Sequence, residues 1–230
     1  MSYLGLEDRA RPTAGASSEA VYCAVVAFLD ELGLSVETLV DVGCGQAKLR
    51  AFLGARCQRY VGVDGLVHAG LPSGIEFVQS DLDTGQVPLP DACCELVTCL
   101  ETIEHVENPR ALLRELYRLA RPGGFVLVTT PNQLSLLSKL SLVVKNEFVH
   151  FQERPGLYPA HISALLEIDL VRIYREVGLC DVQVRYTAIG RVPLSGVTWP
   201  ALLQARSGFR GRAFSDNVLV LGRKACAPGT

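Results

Sequence analysis

With 230 residues the chain is long enough for one domain with a sizeable core, since folded chains of this size bury roughly 70% of the surface they expose when unfolded. Twenty-two basic residues against 24 acidic ones give a net charge of −2, which supplies no electrostatic footprint for a phosphate backbone and disfavours nucleic acid as a partner. The opening MSYLGLEDRARP has no signal-peptide core, no apolar stretch reaches about 18 residues, and the eight cysteines include no C-x-x-C pair, so a cytoplasmic protein with reduced, mostly buried thiols is expected.

In chain order, SSEAVYCAVVAFLDELGL (17–34) repeats apolar residues at helical spacing behind a Ser N-cap, and TLVDVG (38–43) is a short apolar run that ends in glycine. Further β-type runs are RYVGVD (59–64), IEFVQSD (75–81), CELVTCL (94–100), FVLVTTP (125–131), VQVRYTA (182–188) and VLVLGRK (218–224). Amphipathic stretches PRALLRELYRLA (109–120) and ISALLEIDLVRIYREVGL (162–179) lie between several of them. Apolar strands separated by helices predict a parallel sheet covered on both faces. Only the last two strands lack a clear helix between them. The expected fold is therefore α/β: a doubly wound, Rossmann-like seven-stranded sheet, mostly parallel with an antiparallel last strand. Such sheets bind ligands beyond the carboxyl ends of their strands.

Polar residues collect at those ends. In VDVGCGQAKLRAFL, Asp41 precedes a turn in which Gly43 and Gly45 let backbone approach a ligand. The next strand ends in Asp64, 19 residues after Gly45, a spacing that suits a carboxylate accepting hydrogen bonds from a ribose diol. A dinucleotide fingerprint would place a third glycine where Lys48 stands, which weakens the case for NAD.

VDVGCG instead resembles motif I of the class I S-adenosylmethionine-dependent methyltransferases, and VGVDG resembles their ribose-binding acidic motif. QSDLDTGQVPLPDACCELVTCLETIEHV looks like their adenine-contacting loop and fourth strand, and RLARPGGFVLVTTPN (118–132) resembles the turn and fifth strand of the ubiquinone-pathway O-methyltransferase type. The likeness covers about 38–132. It implies a single domain over 1–230, with an N-terminal helical segment at 1–36, a cofactor-binding core at 38–132, and substrate-site insertions at 133–160 and 189–216. Carried over, Gly43 and Gly45, with Asp41 before them, lie under the methionine and ribose of S-adenosyl-L-methionine. Asp64 with Gly65 takes the ribose hydroxyls, Asp81 with Leu82 meets the adenine, and Leu100 lines the site. Arg9 and Arg11 are further candidates for the cofactor carboxylate, as some relatives place an arginine there.

CLETIEHVENP (99–109) then emerges at the carboxyl end of the fourth strand, beside the transferred methyl group. On a helical turn Glu101, Glu104 and His105 would share a face, while Asn108 and Pro109 read as the cap and first residue of the next helix. His105 is placed to remove a proton from an acceptor oxygen. Glu101, Glu104 and His105 also match the pattern that the ubiquinone-type enzymes use for a divalent ion, with His161, or less aptly His150, as the later ligand and magnesium the first candidate. Base and metal stay open at this point, and His68 and His150 read as surface residues. NQLSLLSKLSLVVKNEFVHFQER (132–154) is expected to be a buried helix or lid, with membrane contact the alternative. The long connection 189–216 offers Trp199, Phe209, Phe214, Arg191, Arg206, Arg210 and Arg212 to an aromatic or anionic substrate.

The expected function is methyl transfer to a small molecule, with a phenol-like or other hydroxyl oxygen the favoured acceptor. Transfer to nitrogen or carbon, 2′-O-methylation of an RNA 3′ end, and a cofactor-binding subunit without catalysis are the alternatives.

Overall fold

The computed structural model describes residues 15–84, 86–153, 157–187, 190 and 211–226. Helix α1 (Glu19–Glu31) leads into β1 (Val36–Val42), followed by the short α2 (Leu49–Leu53), β2 (Cys57–Asp64), β3 (Glu76–Gln79) and β4 (Cys94–Leu100). Helix α3 (Pro109–Leu119), β5 (Ala120–Pro131), α4 (Leu136–Lys145), α5 (Glu167–Glu176), β6 (Leu179–Tyr186) and β7 (Asn217–Lys224) complete the chain. The seven strands form one sheet in the order β3-β2-β1-β4-β5-β7-β6. All neighbours are parallel except that β7 runs antiparallel between β5 and β6.

The pleat sorts the core. Along each strand alternate side chains point to opposite faces. Val40, Val97, Val126 and Val220 therefore pack under α3 and α5, against Leu113, Leu116, Ile173 and Tyr174. Their sequence neighbours Leu39, Leu96, Leu127 and Leu221 pack under α1 and α2, against Val25, Phe28, Leu29 and Leu53. Chain order reverses between β1 and β4, and the crevice at such a switch point is where an α/β sheet receives its ligand.

Element ends follow local chemistry. Helix α1 stops short of the predicted residue 34 because Gly33 takes φ +63°, with Leu34 N–H donating to the Leu29 carbonyl at 2.9 Å. Asn108 caps α3, its side chain accepting from Ala111 N–H at 3.0 Å, with Pro109 at the first position. Helix α5 starts at 167 and not at the predicted 162. The amides of Ile162 and Ser163 are drawn away to the Glu104 carbonyl at 2.9 and 3.0 Å, and Asp169 receives Leu166 N–H to begin the helix. Tyr174, fully buried, donates to the Val220 carbonyl at 2.8 Å and packs where Gly222 leaves room.

Helix α4 is not the buried helix that is one of the expectations for 132–154. It is a surface helix in which Ser138 is the buried member, and it exposes Leu136, Leu140, Leu142, Val143 and Val144. The thiols also divide: Cys44, Cys57, Cys94 and Cys99 are buried, whereas Cys23, Cys180 and Cys226 are exposed, all as free thiols. Among the described residues no helix is long and apolar enough to cross a membrane.

Candidate active site

A cavity of about 490 Å³ opens over the carboxyl ends of β1, β2 and β4. Its floor is the turn after β1. Gly43 and Cys44 donate their N–H groups to the Val63 carbonyl at 2.7 and 3.0 Å, which folds the chain back over β2. Gly43 sits at φ +78° and Gly45 at φ +53°, and a Cβ on Gly43 would overlap the Thr102 hydroxyl. Beneath the turn, buried Asp41 accepts from Thr98 Oγ1 at 2.6 Å and from the Tyr60 hydroxyl. Burial raises its pKa to about 6, opposed by those two hydrogen bonds. Asp41 thus anchors the turn, its carboxylate engaged from below.

Asp64 closes β2. Its carboxylate accepts Gly45 N–H at 2.9 Å and Leu66 N–H at 3.1 Å, which ties the glycine turn to the acid predicted for a ribose. Gly65, Leu66, Leu82 and Leu100 continue the wall. Asp81 does not reach it. Its carboxylate receives Asp83 N–H at 3.0 Å within its own loop, and Asp83, which also accepts Glu107 N–H at 2.8 Å, stands at the cavity instead. The D-x-D spacing concealed this, because an aspartate that caps its own turn looks the same in sequence as one that faces a ligand.

The stretch after β4 separates the predicted cluster. Glu101 takes φ +49°, so no helix passes through it, and only Ile103–His105 form a single 3₁₀ turn. The left-handed conformation of a non-glycine residue at a ligand cavity is characteristic of functional positions. Glu101 accepts from the Thr129 hydroxyl at 2.9 Å and from the Asn217 amide at 2.6 Å, on β5 and β7. Desolvation raises its pKa to about 7, opposed by those donors and reinforced by Asp216. It lines the cavity half-buried.

Glu104 turns the other way and is fully buried. Oε2 accepts from the Thr130 hydroxyl at 3.0 Å, while Oε1 has no hydrogen-bond partner. Its carbonyl receives Ile162 and Ser163, and this docking carries His161 to the cavity wall. His161 Nε2 lies 3.9 Å from Glu104 Oε1, an ion-pair separation. Burial, however, pushes Glu104 well above its ordinary carboxyl value and His161 down to about 3, so it disfavours the charged form of each and with it an ion pair between them. His161 Nδ1 is likewise buried without a partner.

His105 packs edge-on to His161 with ring centroids 4.7 Å apart, and its Nδ1 lies 2.9 Å from the Ala160 carbonyl. That carbonyl can only accept, which assigns the proton to Nδ1 and leaves Nε2 as the basic nitrogen. Ligand atoms of Glu104, His105 and His161 lie within 4.8 Å of one another. Glu101 is outside this group, so the predicted four-residue ligand set reduces to three.

Two histidines expected at the surface instead line the cavity. His68 stands beside Asp64 and His150 close to His161. Other walls carried no sequence motif: Gly15–Ser18 and Tyr22 from the N-terminal segment, Thr102, Leu157, and Asp216 with Asn217 at the start of β7. Arg9 and Arg11 lie outside the described residues, as do Trp199, Phe209, Arg191, Arg206 and Arg210 of the long connection. Within its described end, Arg212 pairs with Glu167 at 2.7 Å and Phe214 N–H donates to the Gly211 carbonyl.

Residues 40–128 match the family model described as a methyltransferase domain. A ubiquinone biosynthesis O-methyltransferase of Pseudomonas savastanoi pv. phaseolicola is 33% identical over 119 residues, which is 47% of this chain and 50% of that protein. The namesake from Aeromonas salmonicida is 28% identical over 157 residues, 64% of each chain. The chain thus spans about half the length of curated relatives such as the first. The fold extends further than the sequence match. A Thermotoga maritima SAM-dependent methyltransferase, a possible histamine N-methyltransferase, superposes with TM-score 0.63 at 18% identity over 88% of each chain. A Burkholderia thailandensis 1,6-didemethyltoxoflavin-N1-methyltransferase, solved with that compound and S-adenosylhomocysteine, gives 0.55 at 15% identity over 90% of this chain and 80% of its own. Sequence match, glycine turn, Asp64 and sheet order coincide on the same strip of chain, which matches the methyltransferase domain and shares its fold with solved S-adenosylmethionine-dependent methyltransferases.

Proposed function

We propose that the protein methylates a small molecule at a hydroxyl oxygen, of the phenol or quinone-precursor kind, with S-adenosyl-L-methionine as donor. One observation carries this reading. One cavity is lined both by Asp64, the acid suited to a ribose, and by Glu101, His105 and His161, with Leu100 in the same wall. Methyl transfer from a sulfonium is a direct displacement, in which the cofactor supplies the reactivity and the protein supplies alignment and a base. Gly43, Gly45 and Asp64 hold the nucleoside, and Asp83 with Leu82 borders the adenine. His105, its ring oriented by the Ala160 carbonyl, takes the hydroxyl proton on Nε2. Glu101, raised to about 7, is a second acceptor for that proton near neutral pH.

Glu104, His105 and His161 fit a divalent cation. Two of their buried atoms, Glu104 Oε1 and His161 Nδ1, lack partners, a condition that coordination would relieve. A cation there would lower the pKa of a substrate hydroxyl as a Lewis acid. Two imidazoles with one carboxylate suit zinc, iron or manganese better than magnesium, which prefers an oxygen shell.

The test has two parts. Titration calorimetry of the full chain with S-adenosyl-L-methionine should give saturable binding. Labelled methyl transfer should then favour phenols and catechols over amines and short RNA. Preference for an amine would replace the hydroxyl reading, and absence of transfer with intact binding would favour a non-catalytic subunit. Elemental analysis of the purified chain, repeated on Glu104→Ala, checks the cation: no bound metal and no effect of chelator would reject it.

A further inference from the structure

We propose that His68 is a ribose-binding residue, the donor that completes the hydroxyl subsite headed by Asp64. The inference rests on the cofactor reading of the cavity. Asp64 offers a ribose only acceptors, and each of its oxygens already takes one backbone N–H, from Gly45 and Leu66. A ribose hydroxyl is both donor and acceptor, so a carboxylate meets half of its needs. His68 supplies the rest. Its Nε2 lies 3.6 Å from Asp64 Oδ1, longer than a hydrogen bond. A hydroxyl oxygen at ordinary hydrogen-bond distance from both atoms closes that triangle, donating to the carboxylate and accepting from Nε2–H.

The surroundings keep the ring in place. Its side chain is 14% exposed, and it lines the cavity together with Asp64 and Gly65. On the other side the ring packs against Gly15, where a Cβ would overlap Nδ1 and Cε1. Gly15 adopts φ +63°, and its carbonyl accepts Gln46 N–H at 2.8 Å, which fastens the N-terminal segment to the turn after β1. The N-terminal segment, the glycine turn and His68 therefore form one packed unit around the position that the acid marks.

Binding of S-adenosylhomocysteine and of its 2′,3′-dideoxy analogue should be measured by calorimetry on the unmodified chain, His68→Ala, His68→Gln and Gly15→Ala, with thermal melts to confirm folding. One hydrogen bond is worth about three- to tenfold in affinity. His68→Ala should therefore weaken S-adenosylhomocysteine by about that factor and leave the dideoxy analogue within about twofold. The glutamine variant, which retains a donor, should recover part of the loss, and Gly15→Ala should reproduce the selective loss by displacing the ring. An equal loss for both ligands, or no loss for either, would overturn the assignment while the cofactor reading stands. Failure of the unmodified chain to bind S-adenosylhomocysteine would overturn both.

Discussion

Glu101→Gln separates the electrostatics of the site from its packing. The substitution keeps size and one acceptor oxygen for Thr129 or Asn217, and removes the titrating carboxyl. Folding raises the Glu101 pKa from 4.5 to about 7, mainly by desolvation. A carboxyl that binds its proton more tightly when folded adds most stability below the unfolded pKa. That contribution is lost as pH rises from about 4.5 to 7, and above 7 the ionised group is a fixed penalty. Between pH 5 and pH 8 these two values remove about 2.5 kcal/mol, at about 1.4 kcal/mol per unit. Urea unfolding of both proteins at pH 5, 6, 7 and 8 gives the difference directly. The wild type should lose about 2 to 3 kcal/mol more than the variant over that range. Titrating groups that do not interact with Glu101, Asp41 among them, cancel in the subtraction, and the part that Glu104 contributes is the coupling of the two carboxyls. Parallel profiles, with a constant difference at all four values, would refute a raised Glu101 and with it a role as proton acceptor near neutrality.

Gly43→Ala should destabilise the fold by about 1 to 3 kcal/mol, since it places a Cβ at φ +78° against Thr102, and it should weaken S-adenosylhomocysteine binding in calorimetry. Asn108→Ala removes the cap that Ala111 N–H uses and should cost about 1 kcal/mol in urea unfolding, with cofactor affinity unchanged.

The sheet was legible because each strand carries its own signal. Short β-branched and apolar runs, separated by helical periodicity, specify a parallel sheet buried on both faces, and β1, β2 and β4 lie within two residues of where the pattern put them. The antiparallel β7 followed from the missing helix before it. Errors fall where tertiary bonds override local pattern. Residues 162–166 have helical spacing, yet two of their amides are taken by the Glu104 carbonyl, a partner 58 and 59 positions away that periodicity does not register. Helix α4 reads as a buried helix or a lid from its leucines and valines, and its position at the surface with several of them exposed removes the buried alternative.

At the site the legible part was the part held by backbone. A glycine turn and an acid at the end of the next strand are local devices, and Gly43, Gly45 and Asp64 line the cavity at the ends of β1 and β2. The acceptor end depends on side-chain direction, which one residue's conformation decides. A helical turn over 101–105 would have aimed Glu101, Glu104 and His105 at one point. With Glu101 at φ +49° the chain instead leaves β4 in a left-handed step. That step turns Glu101 toward Thr129 and Asn217 and lets the following 3₁₀ turn bury Glu104 beside His161. Two carboxyls three residues apart thereby acquire different surroundings: Glu101 lines the cavity with a pKa of about 7, and Glu104 is fully buried with Oε1 lacking a hydrogen-bond partner. Glu101 lies outside the group of Glu104, His105 and His161, so it can accept a proton whether or not a cation is held there, whereas His105 Nε2 can serve as base or as ligand but not as both. Glu101→Gln should therefore leave the metal content of the purified chain unchanged in elemental analysis, and a cation held at Glu104 should lower the Glu101 pKa through the electrostatic coupling of the two carboxyls.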